Sequence, residues 1–519
     1  MENIGLDLHQ RESQLCILTG DGEVIERRIR TTPERFLLRS TSLMRPLLIA
    51  AAAILVAQAP TSAQTAATRR AREAVAIINT ATPTLLKAYV DSAFGGPMRD
   101  TPPDAYVNIF LGLRERSGGL EWVSVQEESA YRAVIRLTRK LTGETNALQV
   151  SVEEASPHKV TRLDLRPPPG AAARVASDTE LARSLQQYVT ALASVDAFSG
   201  SVLLAKDGKV LYSGAFGSAN KDFRVPNTIE TKFNLGSMNK MFTSVTIAQL
   251  VEQGKLSYDD PLSKFLPDYP STAAAGKVKI RHLLTHTSGL GSYFNDEFFK
   301  SSRERFRSVD DMMQLAKGDS LAFEPGTRWS YSNTGMLVLG KVIEVVTKRD
   351  YFDYVREHIA KPAGMTRSDA YELDGVNENL AVGYEKEYAD DGTKRYRNNI
   401  FMHVMRGGPA GGGYATAPDL LRFAEALTSG KLITPATYEL MTTPKPDVSS
   451  PRYGYGFQLE PQMGIVGHGG GFPGISSNLD IFKGTGYVAV VMANYGDAGQ
   501  PVVDKIRSLV RARTTPTAQ

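Results

Sequence analysis

The sequence predicts an α/β chain: a small domain that runs from helices into strands, then a large one with strand signals near both ends and a helical middle. Three observations carry this. Residues 68–165 pass from helical apolar spacing to period-two alternation. Ser199–Ala205 and Lys209–Ser213 flank Asp207-Gly208, and a second strand pair surrounds Lys483-Gly484-Thr485-Gly486, both hairpin signals. The stretch between them, Ser237 to Gly430, is rich in helical periodicity. With 519 residues, 42% hydrophobic and 22% charged, the chain can build more than one sizeable core. A formal charge of +4, with the basic residues dispersed, argues against a nucleic-acid or anionic-membrane surface.

Residues 1–43 precede any recognisable domain. Ile4 to Phe36 reads as a β-hairpin with a Gly20-Asp21-Gly22 turn. The segment resembles the start of a DEDD-type insertion-sequence transposase, with Asp7 where the first metal-binding aspartate would stand. One aspartate cannot build a two-metal nuclease site, so the segment reads as a transposase-like remnant or a misplaced start, with translation beginning at Met44. Residues 44–63 have the pattern of a secretory signal: Met44-Arg45-Pro46, the apolar run Leu47 to Ala57, then Thr61-Ser62-Ala63. Cleavage after Ala63 predicts a periplasmic or secreted protein with no stable membrane span. It also removes the single cysteine, Cys16, and with it any disulfide or thiol chemistry.

Residues 64–165 form the small α+β domain. Helical stretches are expected over Arg69 to Phe94, interrupted at Pro83, and over Pro103 to Arg114. Strands are expected over Leu120 to Gln126, Tyr131 to Leu141, Ala147 to Glu153 and Val160 to Leu165. Residues 166–183 are a linker, stiffened by Pro167-Pro168-Pro169 and loosened by Gly170-Ala171-Ala172-Ala173. The large domain then occupies residues 184–513 and ends in a helix over Pro501 to Arg511.

Chemistry first shows at Ser237-Met238-Asn239-Lys240. Apolar residues at Met241, Phe242, Val245 and Ala248 make the following run helical, up to Gly254. A spacing of three puts the hydroxyl and the amine on one helix face. The unpaired N–H groups of a helix N-terminus favour the oxyanion that forms when serine attacks a carbonyl. A lysine shielded from water can lose its proton near neutrality and accept the serine's. Alone the tetrapeptide is weak, because a capped helix with a surface lysine looks the same.

Three further segments bear on it. In Pro325-Gly326-Thr327-Arg328-Trp329-Ser330-Tyr331-Ser332-Asn333, a phenol and an amide two residues apart can point into one cleft. Tyr331 could shuttle protons, and Asn333 could hydrogen-bond the substrate's amide or ester. In Gly467-His468-Gly469-Gly470-Gly471-Phe472-Pro473-Gly474, the glycines allow close backbone approach, and Gly471 is expected to supply a second oxyanion N–H. Ile280 to Leu290 reads as a short helix entering a Ser-Gly turn.

These segments, together with Gly407-Gly408-Pro409-Ala410-Gly411-Gly412-Gly413-Tyr414, resemble in residues and order the serine hydrolases of class C β-lactamase type. That superfamily includes penicillin-binding proteins, family VIII carboxylesterases and D-alanyl-D-alanine carboxypeptidases. The resemblance implies a β-lactamase/transpeptidase-like fold, with one antiparallel sheet drawn from both ends of the domain and the nucleophile in the seam beside the helices. It makes Ser237, Lys240 and Tyr331 catalytic, and Asn333, His468, Gly470 and Gly471 substrate-binding. His468 stands where class C enzymes usually have lysine. A histidine of ordinary pKa, about 6.5, is mostly neutral at pH 7 and binds a carboxylate poorly. The implied activity is therefore hydrolysis of a small ester, amide or D-amino-acid peptide through an acyl-enzyme. A class C-type β-lactamase and a β-lactam sensor without turnover are the alternatives.

No metal or cofactor is implied. His282 and His286 have the spacing of a helical metal pair, yet no glutamate lies where the zincin motif needs it. No nucleotide-binding glycine motif follows a strand. The sequence specifies no subunit count.

Overall fold

A computed structural model of the chain describes three strands within residues 3–30, and residues 64–168, 175–318 and 320–514. Met1–Thr65 and Ala66–Gln519 form two compact units. In the first, β1 (Asn3–Leu8), β2 (Glu12–Leu18) and β3 (Val24–Arg30) make an antiparallel sheet in that order. The expected hairpin is the β2–β3 pair, whose register ends at Leu18 opposite Val24, and β1 adds a third strand to it. The expected signal segment, residues 44–63, and linker positions 169–174 lie outside the described residues.

The second unit opens with a small lobe: α1 (Ala66–Thr80), α2 (Pro83–Ala93) and α3 (Pro103–Ser117), followed by β4 (Leu120–Glu128), β5 (Arg132–Arg139), β6 (Thr145–Val152) and β7 (Val160–Arg166). Pro83 ends one helix and begins the next, because its missing N–H costs nothing at a first-turn position and Thr82 caps that turn by accepting from the Leu85 amide. Gly118, at φ 64°, takes the left-handed conformation that stops α3. The four strands form an antiparallel meander in sequence order. Ala67, Ala71, Val75 and Ile78 of α1 recur at helical spacing and bury against Ile135, Leu137, Leu148 and Val150.

The larger lobe adds α4 (Asp178–Ser194), β8 (Gly200–Lys206), β9 (Lys209–Phe216), α5 (Asn239–Glu252), α6 (Asn333–Thr347), hairpin β10 (Tyr384–Tyr388)–β11 (Lys394–Asn398), α7 (Ala417–Thr428), β12 (Gln458–Glu460), β13 (Ile465–Phe472), β14 (Ile475–Phe482), β15 (Tyr487–Ala493) and α8 (Gln500–Thr514). Its main sheet is antiparallel, in the order β12-β13-β14-β15-β8-β9, so strands from both ends of the lobe meet at the β15–β8 pair. Alternation assigns the faces. Val202, Leu204, Ala489 and Val491 join a core with α4 and α8, while Leu203, Ala205, Val490 and Met492 join the core of α5, α6 and α7. Each such side chain removed from water contributes roughly 1.5–3 kcal/mol, so a one-residue slip of β15 would invert both cores at once.

The helix expected to begin at Ser237 is preceded by a tighter turn. Gly236–Met238 is a 3₁₀ turn, and the α-helix starts at Asn239. The cause is tertiary. Gly236 has φ 50°, and a Cβ there would sit 3.0 Å from the Gly470 carbonyl carbon, so β13 presses on this turn and only glycine fits.

Candidate active site

Ser237 lies in the seam between the sheet and the helices. Its turn is clamped by backbone on two sides. On one, a Cβ at Gly470 would come within 2.0 Å of the Leu235 carbonyl oxygen and 3.1 Å of the Ser237 nitrogen. On the other, the Gly412 N–H donates to Gly236 O at 3.1 Å, and the Leu235 N–H to Gly413 O at 2.7 Å. Both approaches exclude side chains, which explains Gly470 and also Gly411, whose Cβ would lie 2.8 Å from Gly236 O. Gly471 differs. A Cβ there would meet nothing within 4 Å, so this stretch of β13 borders open space beside the serine.

Lys240 is wholly buried one helical step from Ser237. Its Nζ lies 3.1 Å from Ser237 Oγ, 2.9 Å from Asn333 Oδ1 and 2.5 Å from the Ala410 carbonyl. None of these partners carries a charge. Burial alone therefore drives the amine's pKa well below its usual 10.5. A neutral amine has two N–H groups and one lone pair. Asn333 Oδ1 and Ala410 O can only accept, so they take the two N–H groups and leave the lone pair to the Ser237 hydroxyl. Asn333 is fixed in turn by donating from Nδ2 to Ser292 Oγ at 3.2 Å, and Ser332 caps α6 by accepting from the Gly335 amide at 2.8 Å.

Tyr331 covers the other side of the amine, with Lys240 Nζ 4.8 Å from its ring centroid. Burial raises its phenol to about 12, partly offset by a hydrogen bond with Ser237. It is therefore protonated at neutral pH. The His286 ring packs on it, centroids 4.4 Å apart, and also on Tyr453 at 4.5 Å. His286 Nδ1 accepts from the Ser332 amide at 3.2 Å, which ties this wall to the cap of α6.

His468 completes the wall from within. Only 1% exposed, it has both ring nitrogens engaged. Nδ1 lies 2.5 Å from the Gly469 carbonyl, which can only accept, so that nitrogen carries the proton. Nε2 then accepts from Tyr453 Oη at 2.8 Å. Burial lowers its pKa to about 3, so the ring is neutral at any pH near 7. It offers substrate neither a charge nor a free nitrogen; what this segment presents to the cleft is backbone.

The predicted residues thus fall into two groups. Ser237, Lys240, Tyr331 and Asn333 come together, and the Gly470–Gly471 backbone lies against the Ser237 turn. His468 stands behind them. Tyr453, Ser292 and the Ala410 carbonyl belong to the site as well. No local pattern marks the first two, whereas the glycines around Ala410 signal a close backbone approach. The expected His282–His286 helix covers only Ile280–Leu284; His286 falls outside it, at φ 59°. His282 Nδ1 accepts from the Lys279 amide at 3.2 Å, so each of the two rings caps backbone. A partly open cavity lined by Phe242 of α5 and by Tyr351, Phe352, Met365 and Tyr414 does not include Ser237 in its lining.

Residues 170–512 match the Beta-lactamase family profile. Penicillin-binding protein 4* of Bacillus subtilis (strain 168) is 32% identical over 313 residues, covering 57% of this chain and 68% of its own length. The crystal structure of a penicillin binding protein from Bacillus halodurans superposes with TM-score 0.56 at 28% identity, covering 64% of this chain and 99% of that one. A D-stereospecific amidohydrolase from Streptomyces sp. superposes with TM-score 0.51 at 27% identity, covering 63% and 96%. The chain belongs to the beta-lactamase family, within the superfamily of β-lactamase-like and penicillin-binding-protein-like serine hydrolases.

Proposed function

We propose that this protein hydrolyses ester or amide bonds of small molecules through an acyl-enzyme on Ser237, as a carboxylesterase or D-amino-acid peptidase rather than a β-lactamase. The observation that carries the proposal is a wholly buried lysine with no charged partner, whose Nζ lies 3.1 Å from Ser237 Oγ. In this reading Lys240 takes the Ser237 proton as Oγ bonds to the carbonyl carbon. The oxyanion settles on backbone N–H groups of the Ser237 turn and Gly471. Tyr331, protonated at rest, passes a proton to the leaving group as its bond to the carbonyl carbon breaks. Water then releases the acyl group by the reverse sequence of proton movements.

The choice among activities rests on charge. Class C-type recognition of a β-lactam carboxylate calls for a cation where His468 stands, and burial keeps that ring neutral. Apolar surface lines the rim instead. Phe472, next to Gly471, stacks on Phe294 with centroids 5.4 Å apart, and Ile400, Phe401 and Met402 are 47%, 82% and 39% exposed on the loop after β11. Arg303 ties that loop to residues 298–301 by donating to the carbonyls of Met402 and Ser301. These features favour an uncharged, apolar acyl or leaving group. The amidohydrolase among the similar structures supports the amide branch. We also propose export directed by residues 44–63. No helix among the described residues is long and apolar enough to cross a membrane.

The test is hydrolysis of p-nitrophenyl butyrate by the parent chain and by Ser237→Ala. We expect steady turnover in the parent and a loss of about a thousandfold or more in the variant, with unchanged circular dichroism. Retention of more than a few per cent of the activity would reject Ser237 as nucleophile.

A further inference from the structure

One of the contacts between the small lobe and the larger one is a largely buried carboxylate. Glu115, in the last turn of α3, accepts from Lys386 Nζ at 2.7 Å, Lys394 Nζ at 2.6 Å and Tyr388 Oη at 3.0 Å. The side chains of Glu115 and Lys386 are each 11% exposed. All three donors lie on hairpin β10–β11, where Tyr388 pairs with Lys394 and Lys386 with Tyr396, so they share one face. Farther along, the Thr84 amide and hydroxyl at the start of α2 donate to Asp390 at 2.9 and 2.5 Å. The small lobe thus grips the hairpin along its length and near its tip.

The root of the same hairpin holds the end of the strand beside the nucleophile. Glu385, one residue before Lys386 and on the opposite face, accepts from the Gly474 amide. Asn399, just after β11, donates from Nδ2 to the Pro473 carbonyl at 2.8 Å and from its backbone to Gly383 O at 3.0 Å. Gly383 and Gly474 touch backbone to backbone, since a Cβ on Gly383 would lie 2.5 Å from Gly474 O. Pro473 and Gly474 form the β13–β14 turn directly after Phe472 and the Gly470–Gly471 stretch. A contiguous set of hydrogen bonds therefore runs from α3 through the hairpin to the apolar rim of the cleft.

We propose that Glu115 is a positioning residue: through hairpin β10–β11 the small lobe sets the place of the β13–β14 turn, and with it the fit of the acyl group against Phe472 and the loop after β11. The proposal rests on the reading of Ser237 as nucleophile only for its kinetic readout. Physically, the charge-assisted bonds to Glu115 hold one face of a two-stranded ribbon that would be only marginally ordered alone. Releasing that face frees the root residues Glu385 and Asn399 to shift.

The test uses Glu115→Gln and, as the milder break at the more exposed partner, Lys394→Met, both in the full chain. Amide hydrogen exchange is followed over residues 103–117, 384–398 and 472–476, and kcat and KM are measured for p-nitrophenyl acetate and hexanoate. We expect exchange at 472–476 to quicken and KM for hexanoate to rise, each by about threefold to tenfold, while kcat for acetate stays within about twofold. Faster exchange confined to 103–117 and 384–398, with 472–476 and both KM values unchanged, would overturn the proposal and leave Glu115 as a lobe anchor. Should the parent chain turn over no ester at all, the nucleophile reading fails, and exchange at 472–476 still decides whether the lobes are coupled.

Discussion

Lys240, wholly buried, and Lys386, with its side chain 11% exposed, both have their donors engaged, and they serve opposite ends. Around Lys240 every acceptor is neutral, so burial acts unopposed and the amine is pushed well below 10.5. Around Lys386 burial also lowers the pKa, but the charges of Glu115 and Asp196 pull it back up. A counter-charge is what separates a strut from a base. The same desolvation that would cost several kcal/mol for an unpaired ammonium is relieved at Lys386 by pairing and at Lys240 by giving up the proton. Between these two lysines, the carboxylate beside Lys386 makes the difference.

The largest effects break the Lys240 side of this comparison. A guanidinium cannot give up its proton, so Lys240→Arg fixes a charge at this place and removes the proposed base. We expect a fall in kcat/KM of about a thousandfold or more, comparable to Ser237→Ala. The pH profile of the parent sharpens the point. In the proposed mechanism Lys240 works as the neutral amine, so kcat/KM should climb as pH rises through its lowered pKa and level off before the usual lysine range. Lys386→Met should leave that limb where it is. A limb that moves with Lys386 would assign the titration to the wrong lysine.

Tyr331→Phe comes next. With the phenol raised to about 12, Tyr331 acts at neutral pH as a proton donor and hydrogen-bond partner, not as a phenolate. Removing the hydroxyl while keeping the ring on His286 should cost about a hundredfold in kcat, within the range for one general acid–base group. The acid limb set by Lys240 should persist. A variant with unchanged kcat would remove Tyr331 from the proton path.

How far the site could be read in the sequence follows from how each contact is made. Ser237 and Lys240 meet through helical spacing, and Tyr331 and Asn333 are brought in by one turn and its cap, so local pattern reaches all four. The hairpin at Asp207-Gly208, the turn at Lys483–Gly486, the break at Pro83 and the C-terminal helix are local in the same way. Tyr453 and Ser292 reach the site only because distant loops fold against α6 and β13, and no spacing records that. The 3₁₀ turn at Gly236 was illegible for the same reason, since it is imposed by Gly470 more than two hundred residues away. His468 shows a different limit. Its identity argued against a permanent cation, whereas burial behind Tyr453, and hence its lack of a free nitrogen, is a tertiary fact.

The smallest expected effect concerns that histidine, which compares with Lys240 as a second base held neutral by burial. Its folded pKa of about 3 lies below the unfolded value of 6.5, so below pH 6.5 the unfolded chain binds more protons than the folded one. Stability from this source is whole above 6.5 and declines by about 1.4 kcal/mol for each unit the pH falls towards 3. His286, His282 and His403 are lowered by burial too, the last two to about 4, and add losses of the same sign. Urea unfolding of the parent and of His468→Gln at pH 8, 6 and 5 isolates the one ring. Glutamine can still accept from Tyr453 and cannot titrate, so the variant should lose about 2 kcal/mol less than the parent between pH 8 and 5, whatever its stability at pH 8. Parallel losses in the two proteins would mean that His468 is not held neutral, and would reopen the case for a cation beside Ser237.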